Sequence, residues 1–188
     1  MKNSIFILSL MVVFSGLSEA AIKKGSPLKF NKLDVFAGTG IFQGGESGRA
    51  YSLLDIKRTQ PKNNSPDHEH FSIFYGDEIG RKILGKTGYF HIILEKNPDR
   101  LVIDLSQVQK TAVDEKQLAA IFRNSELVSK TEMTMDPEDL STNITLYLKQ
   151  PVKARVKSNT DGKKPGQLVI DMVKTNPKVK PAINKEAK

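Results

Sequence analysis

The chain has 188 residues, with 29 Lys and Arg against 21 Asp and Glu, three His and no Cys, for a formal charge of +8. That length allows one domain with a real core. The missing cysteine excludes disulfides, a thiolate metal site and lipid attachment at a leader cysteine, so packing and hydrogen bonding alone must hold the fold.

The N-terminus has the three-part layout of a secretory signal peptide. Lys2 supplies the positive start, an apolar run extends from Ile5 to Leu17, and Ser18-Glu19-Ala20 offers small residues before Ala21. The run falls short of the roughly 20 residues that span a bilayer as a helix. Residues 1–20 are therefore expected to be a cleaved leader rather than an anchor, and nothing later is apolar enough to cross a membrane. Export makes the periplasm the expected compartment. It also makes nucleic acid a poor partner for the basic charge; anionic wall polymers and lipid head groups are better ones.

Residues 21–48 read as a polar lead-in with a possible first strand. Gly38-Thr-Gly-Ile-Phe-Gln-Gly-Gly (38–45) has no Gly-Lys-Ser/Thr ending and no helical pattern after it, so it reads as a loop or hairpin rather than a phosphate cradle. Strands are expected at 49–58 and 69–75. Tyr89–Glu95 then sets Phe90, Ile92 and Leu94 on one face, Asn143–Lys149 does the same with Ile144, Leu146 and Leu148, and Val152–Ser158 alternates Val152, Ala154 and Val156 with Lys153, Arg155 and Lys157. Turns are signalled at Asn97-Pro98, Gln150-Pro151, Asp161-Gly162 and Pro165-Gly166. The one helix candidate is 115–122, with Asp114 as N-cap and Leu118, Ile121 and Phe122 inward. Residues 174–188 are lysine-rich, carry Pro177 and Pro181, and read as a disordered basic tail.

Arg100-Leu-Val-Ile-Asp-Leu (100–105) returns as Gln167-Leu-Val-Ile-Asp-Met (167–172), each copy preceded by an alternating strand and a Pro-containing turn. A three-strand unit used twice predicts an all-β fold: a small β-sandwich of two roughly three-stranded sheets with internal pseudo-symmetry and one short helix.

Tyr89–Leu105 (YFHIILEKNPDRLVIDL) resembles the first half of an AMIN domain. Asn143–Lys157, followed by Pro165-Gly-Gln-Leu-Val-Ile-Asp-Met, resembles its second half. The resemblance covers about residues 49–173 and is firmest over 89–105 and 125–172. It departs at 76–88, and Gln167 stands in the second copy where the first has Arg100. AMIN domains are two-sheet β modules of periplasmic amidases and outer-membrane secretins. The resemblance implies a non-catalytic domain that localises to the envelope by binding peptidoglycan, here without an amidase or secretin domain after residue 173. A secretin, pilus or cell-wall amidase complex is the implied protein partner, and an adaptor for such a complex is the alternative reading. No cofactor is expected.

A peptidoglycan binder needs flat or aromatic surface, amide-pairing groups and cations for peptide carboxylates. The polar strand faces offer Tyr89, His91, Arg100, Asp104, Tyr147, Lys153, Arg155, Lys157 and Asp171. Asp is unfavourable inside a strand, so Asp104 and Asp171 in equivalent places call for a reason. They are either ligand-bonding groups or cross-strand partners of Lys and Arg. The lysine and arginine ladder is either a site or a solvated face. Asp67-His-Glu-His70 is the metal temptation, with His91 as a third ligand. It has no HExxH pattern, and the serines near any His lack a nucleophile-elbow sequence, so no metal site and no enzyme are expected.

Overall fold

A computed structural model describes residues 28–47, 51–59, 67–159 and 161–175. The expected leader lies outside these residues, as does the basic tail beyond Thr175. Ten strands and one helix follow in chain order: β1 (Gly40–Gly44), β2 (Tyr51–Thr59), β3 (His68–Asp77), β4 (Phe90–Glu95), β5 (Arg100–Leu105), β6 (Val108–Thr111), α1 (Glu115–Phe122), β7 (Val128–Asp136), β8 (Ser141–Leu148), β9 (Val152–Ser158) and β10 (Gln167–Lys174). They form two five-stranded sheets, sheet A in the order β1-β4-β5-β8-β7 and sheet B in the order β6-β2-β3-β10-β9.

The period-two pattern dictates the layering. Phe90, Ile92 and Leu94 of β4, Leu101, Ile103 and Leu105 of β5, and Ile144 and Leu146 of β8 are all buried. They meet Phe71, Ile73 and Tyr75 of β3, Leu168, Ile170 and Met172 of β10, and Val152, Ala154 and Val156 of β9 across the sandwich. The helix occupies 115–122 as expected. Asp114 accepts from Gln117 N at 2.7 Å while Gln117 Oε1 accepts from Asp114 N at 2.8 Å, a complete capping box. Leu118 and Phe122 are buried, and Phe122 packs edge-on against Phe71 at 5.4 Å between ring centres.

The all-β sandwich stands, with five strands per sheet where the sequence suggested about three. The added strands are β1, β6 and β7, all at sheet edges. Residues 40–44, expected as a loop or hairpin within a lead-in holding a possible first strand, pair antiparallel with β4 from Gly40–Leu94 to Gly44–Phe90. Gly40 permits this: its φ is +116°, and a Cβ there would sit 2.4 Å from Lys29 O.

The internal echo is also arranged differently from expectation. Neither repeat makes a sheet of its own. The β4–β5 hairpin pairs through β5 with β8, and the β9–β10 hairpin pairs through β10 with β3. Each sheet thus combines a closing hairpin from one half of the chain with an opening hairpin, β2–β3 or β7–β8, from the other. The exchange ties the halves together: neither sheet can form without both.

Most strand edges are occupied. Asn31 N donates to Ile41 O and Ile41 N to Lys29 O along β1, while Ala37 and Ala154 exchange both backbone bonds along β9. Helix α1 packs along β7, and β6 is only four residues long.

Candidate functional site

The nine candidate residues separate onto two opposite surfaces. Tyr89, His91, Arg100, Asp104 and Tyr147 lie on the outer face of sheet A, because their inward neighbours are the buried Phe90, Ile92, Leu101, Ile103, Leu105 and Leu146. Lys153, Arg155, Lys157 and Asp171 lie on the outer face of sheet B. A single site containing all nine is therefore excluded by alternation alone.

On sheet A, strand register sorts the outward side chains into rows. The middle row runs Ile41–Ile93–Val102–Thr145–Glu132, largely aliphatic and β-branched. To one side runs Gln43–His91–Asp104–Asn143–Thr134, and to the other Glu95–Arg100–Tyr147–Lys130. Rows two residues apart are about 6.6 Å from one another, and five strands give a width of roughly 20 Å. The result is a platform with an aliphatic centre and polar flanks. Sequence reasoning found the flanks but missed the centre. Val102 and Ile93 were visible at outward positions of alternating strands, but nothing in one strand says that its outward aliphatics line up with those of three others.

The flanking charges are held in place. Arg100 Nε donates to Glu95 Oε2 at 2.5 Å. Tyr147 Oη donates to Glu132 Oε2 at 2.8 Å, Lys130 Nζ reaches Glu132 Oε1 at 2.6 Å, and the same ammonium lies 5.4 Å from the Tyr147 ring centre. These contacts hold the Glu132 carboxyl below its ordinary pKa, the Lys130 hydrogen bond most of all. Tyr89 Oη donates to Gln43 at 3.4 Å at the other end of the face. Asp104 differs. Its Oδ1 is buried and has no hydrogen-bond partner among the described residues, and burial raises its pKa, with the nearby Asp139 charge adding to the effect.

Sheet B spends its equivalent residue differently. Arg155 Nε and Nη2 donate to Asp171 Oδ2 at 3.0 and 2.8 Å, and His70 Nδ1 lies 2.7 Å from Oδ1. Burial alone would raise the Asp171 carboxyl, but the hydrogen bonds from His70 and Arg155 outweigh it and the pKa is lowered. The basic ladder is largely neutralised from within. Lys157 pairs with Asp34 at 2.9 Å, and Arg155 stacks over Phe36 at 4.5 Å from the ring centre. Lys153 alone of the three makes no ion pair among the described residues.

The His-Glu-His motif resolves into two roles. His68 and His70 face outward beside Asp171, at 3.7 and 2.7 Å. His91 is across the sandwich on sheet A, so the three histidines cannot share a metal, and no group of three ligating side chains forms among the described residues. Glu69 points inward and is 2% exposed. Its Oε1 accepts from Ser125 Oγ at 2.6 Å, Glu126 N at 2.8 Å and Leu127 N at 3.1 Å, and its Oε2 from Arg58 Nε at 3.1 Å. This network clamps the α1–β7 turn onto sheet B, a role the linear motif did not reveal.

Set beside known proteins, the chain matches no family model, and no curated protein matches it. No helix among the described residues is long and apolar enough to cross a membrane.

Proposed function

We infer that the protein is a non-catalytic module that binds peptidoglycan through the outer face of sheet A, exported to the bacterial envelope by its N-terminal leader. The observation that carries this reading is the convergence of Tyr89, His91, Arg100, Asp104 and Tyr147 on one face around the row Ile41–Ile93–Val102–Thr145. A glycan strand has apolar ring faces edged by hydroxyls and amides. An aliphatic centre flanked by amide, imidazole, phenol and guanidinium groups matches that chemistry along an extended polymer. Sheet B offers less, because Asp34, Asp171 and Phe36 already engage Arg155 and Lys157. The resemblance of residues 89–105 and 143–172 to AMIN domains points the same way.

Co-sedimentation of residues 21–188 with insoluble sacculi, at low and moderate salt, tests the reading. Arg100→Ala with Tyr147→Ala should weaken pelleting about thirtyfold, since half-buried anchors of these types each carry on the order of 1 kcal/mol. Lys153→Ala and truncation after Thr175 should leave salt-resistant pelleting unchanged. If the protein stays in the supernatant, or pelleting vanishes with the tail, wall binding fails. The adaptor reading then leads, although the covered edges of β1, β9 and β7 leave little room for strand addition.

A further inference from the structure

Past the end of the sheet A face lies a cleft of about 360 Å³. It opens where the chain leaves β1 and enters β4, just beyond Gln43 and Tyr89, and its far wall is the 77–86 turn. Tyr51, only 4% exposed, and Ile83 supply the apolar lining. Three cations and two anions surround the opening, and four of these charges cancel in pairs. Lys86 Nζ meets Glu46 Oε2 at 2.9 Å, and Arg81 Nε meets Asp77 Oδ2 at 2.8 Å. Asp77 is further committed, since its Oδ1 accepts from Ile79 N and Arg81 N at 3.1 and 2.8 Å. Lys82 is left over, with no ion pair among the described residues.

The cleft is built rather than incidental. Glu46 N donates to Thr87 O at 3.0 Å, Asp77 N to Arg81 O at 2.8 Å, and Gly85 N to Lys164 O at 2.8 Å, so the 77–86 turn closes on itself and is anchored to Lys164, while Glu46 is tied to Thr87. Tyr51 is wedged edge-on against Tyr75 with ring centres 6.1 Å apart. Gly88 lies beneath both rings, where a Cβ would come within 3.0 Å of each. A preformed site pays little ordering entropy on binding. Segment 76–88 is also where the sequence departs from the AMIN resemblance, so the cleft belongs to this chain's own elaboration of the sandwich.

We propose that this cleft receives the carboxylate end of the short peptide stem of peptidoglycan, Lys82 binding the carboxylate while Tyr51 and Ile83 pack against its small apolar side chains. The assignment rests on the wall-binding reading and adds a second recognition element to it. Glycan lies along sheet A, and a stem projecting from it turns into the cleft beside Tyr89. Charge decides the polarity: among the described lining residues, the one ionic group without an ion pair is a cation. The volume lies at the lower end of the roughly 300–1,000 Å³ usual for small-ligand clefts, which suits a few alanine-sized residues rather than a folded partner.

The test is an amide-resolved NMR titration of residues 21–188 with the free stem tetrapeptide ending in D-alanine and with its C-terminal amide. The expected result is saturable shifts at Tyr51, Lys82 and Ile83, with affinity about fivefold weaker for the amide and for Lys82→Glu, the upper range for a solvent-exposed ion pair. Lys82 is exposed, so the variant should keep the wild-type denaturation midpoint. Equal binding by Lys82→Glu, or shifts confined to other surfaces, overturns the proposal. Sacculi that pellet the protein while the tetrapeptide leaves the cleft silent overturn this proposal and spare the wall reading. Sacculi that leave it in the supernatant overturn the wall reading, and the titration then judges the cleft on its own.

Discussion

Replacing Glu69 isolates what the inward half of the His-Glu-His motif does. Its carboxylate accepts from the Ser125 hydroxyl, from two backbone N–H groups and from the Arg58 guanidinium, and both charged side chains are nearly buried, at 11% exposed for Arg58 and 3% for Glu69. Glu69→Leu strips those donors of their acceptor and leaves a guanidinium buried against sheet B. Breaking a buried pair from one side costs about 3–5 kcal/mol, mostly the penalty of the stranded charge. Arg58 Nη2 also donates to Asn124 O at 3.0 Å, which offsets part of that penalty, so about 3 kcal/mol is the expected loss. Urea unfolding of residues 21–188 measures it as a fall in midpoint of between one and three molar, from slopes of about 1–3 kcal/mol/M. Arg58→Leu together with Glu69→Leu should recover part of the loss, because no charge is then stranded. A loss below about 1 kcal/mol, or a double variant no better than the sum of the singles, would refute the clamp. If zinc or a chelator moved the midpoint of the wild type, the motif would be a metal site after all.

The two equivalent aspartates should respond to pH with opposite signs. Asp171 has a lowered native pKa, so its stabilisation is full above the unfolded carboxylate range near 3.9 and is lost as pH falls through the native value; Asp171→Asn should therefore destabilise at pH 7 and converge with wild type in acid, as followed by thermal midpoints across pH. Asp104 has a raised native pKa, so its ionised form opposes folding above the unfolded value and the opposition fades as pH drops through the native one; Asp104→Asn should be neutral or stabilising at pH 7 by the same measurement. Gly88→Ala should cost about 1–3 kcal/mol in urea unfolding, since its Cβ meets the Tyr51 and Tyr75 rings at 3.0 Å and both residues are almost fully buried.

Strands with one dry face were legible because alternation is a local signal. The inward side chains of β4, β5, β8, β9 and β10 are those the period-two pattern selects, and Asp114 as N-cap announced α1. The edge strands lack that signal. β7 reads Val-Ser-Lys-Thr-Glu-Met-Thr-Met-Asp, with only Val128 and Thr131 buried, and β1 is bounded by glycines that look like loop. The strand state of β1 comes from a partner about 50 residues away, as when Ile41 pairs with Ile93, while β7 takes its strand state from the following β8, where Asp136 pairs with Ser141. The candidate residues were legible as outward-facing, yet which sheet each faced out from depended on the exchange of hairpins between halves. Lys153 and His91 look equally available in the sequence and end up on opposite surfaces.

That exchange turns the repeat into a division of labour. Asp104 and Asp171 occupy the same place in the two copies, each on the second strand of a hairpin and each flanked by the partner half. Register sets His91 and Asn143 beside Asp104, but Arg155 and His70 beside Asp171. Both neighbours differ: His91 stands where Arg155 does, and Asn143 where His70 does. On sheet B, His70 takes one carboxylate oxygen and Arg155 the other, Arg155 reaches on to Asp34, and residues 34–37 are pinned along β9, so sheet B becomes the braced side. On sheet A, one Asp104 oxygen has no hydrogen-bond partner among the described residues, and its own row ends in Gln43. An unpaired oxygen is unfavourable for folding alone, and folding would lose little from an arginine at 91 that satisfied it. His91→Arg makes that argument testable. It should stabilise the protein toward urea by about 1 kcal/mol, the usual net for a charge-assisted hydrogen bond at a half-buried site. The same change should weaken sacculus pelleting, because it places a new ion pair in the row beside the aliphatic centre. Stabilisation with undiminished pelleting would mean that the Asp104 row is not part of the binding face.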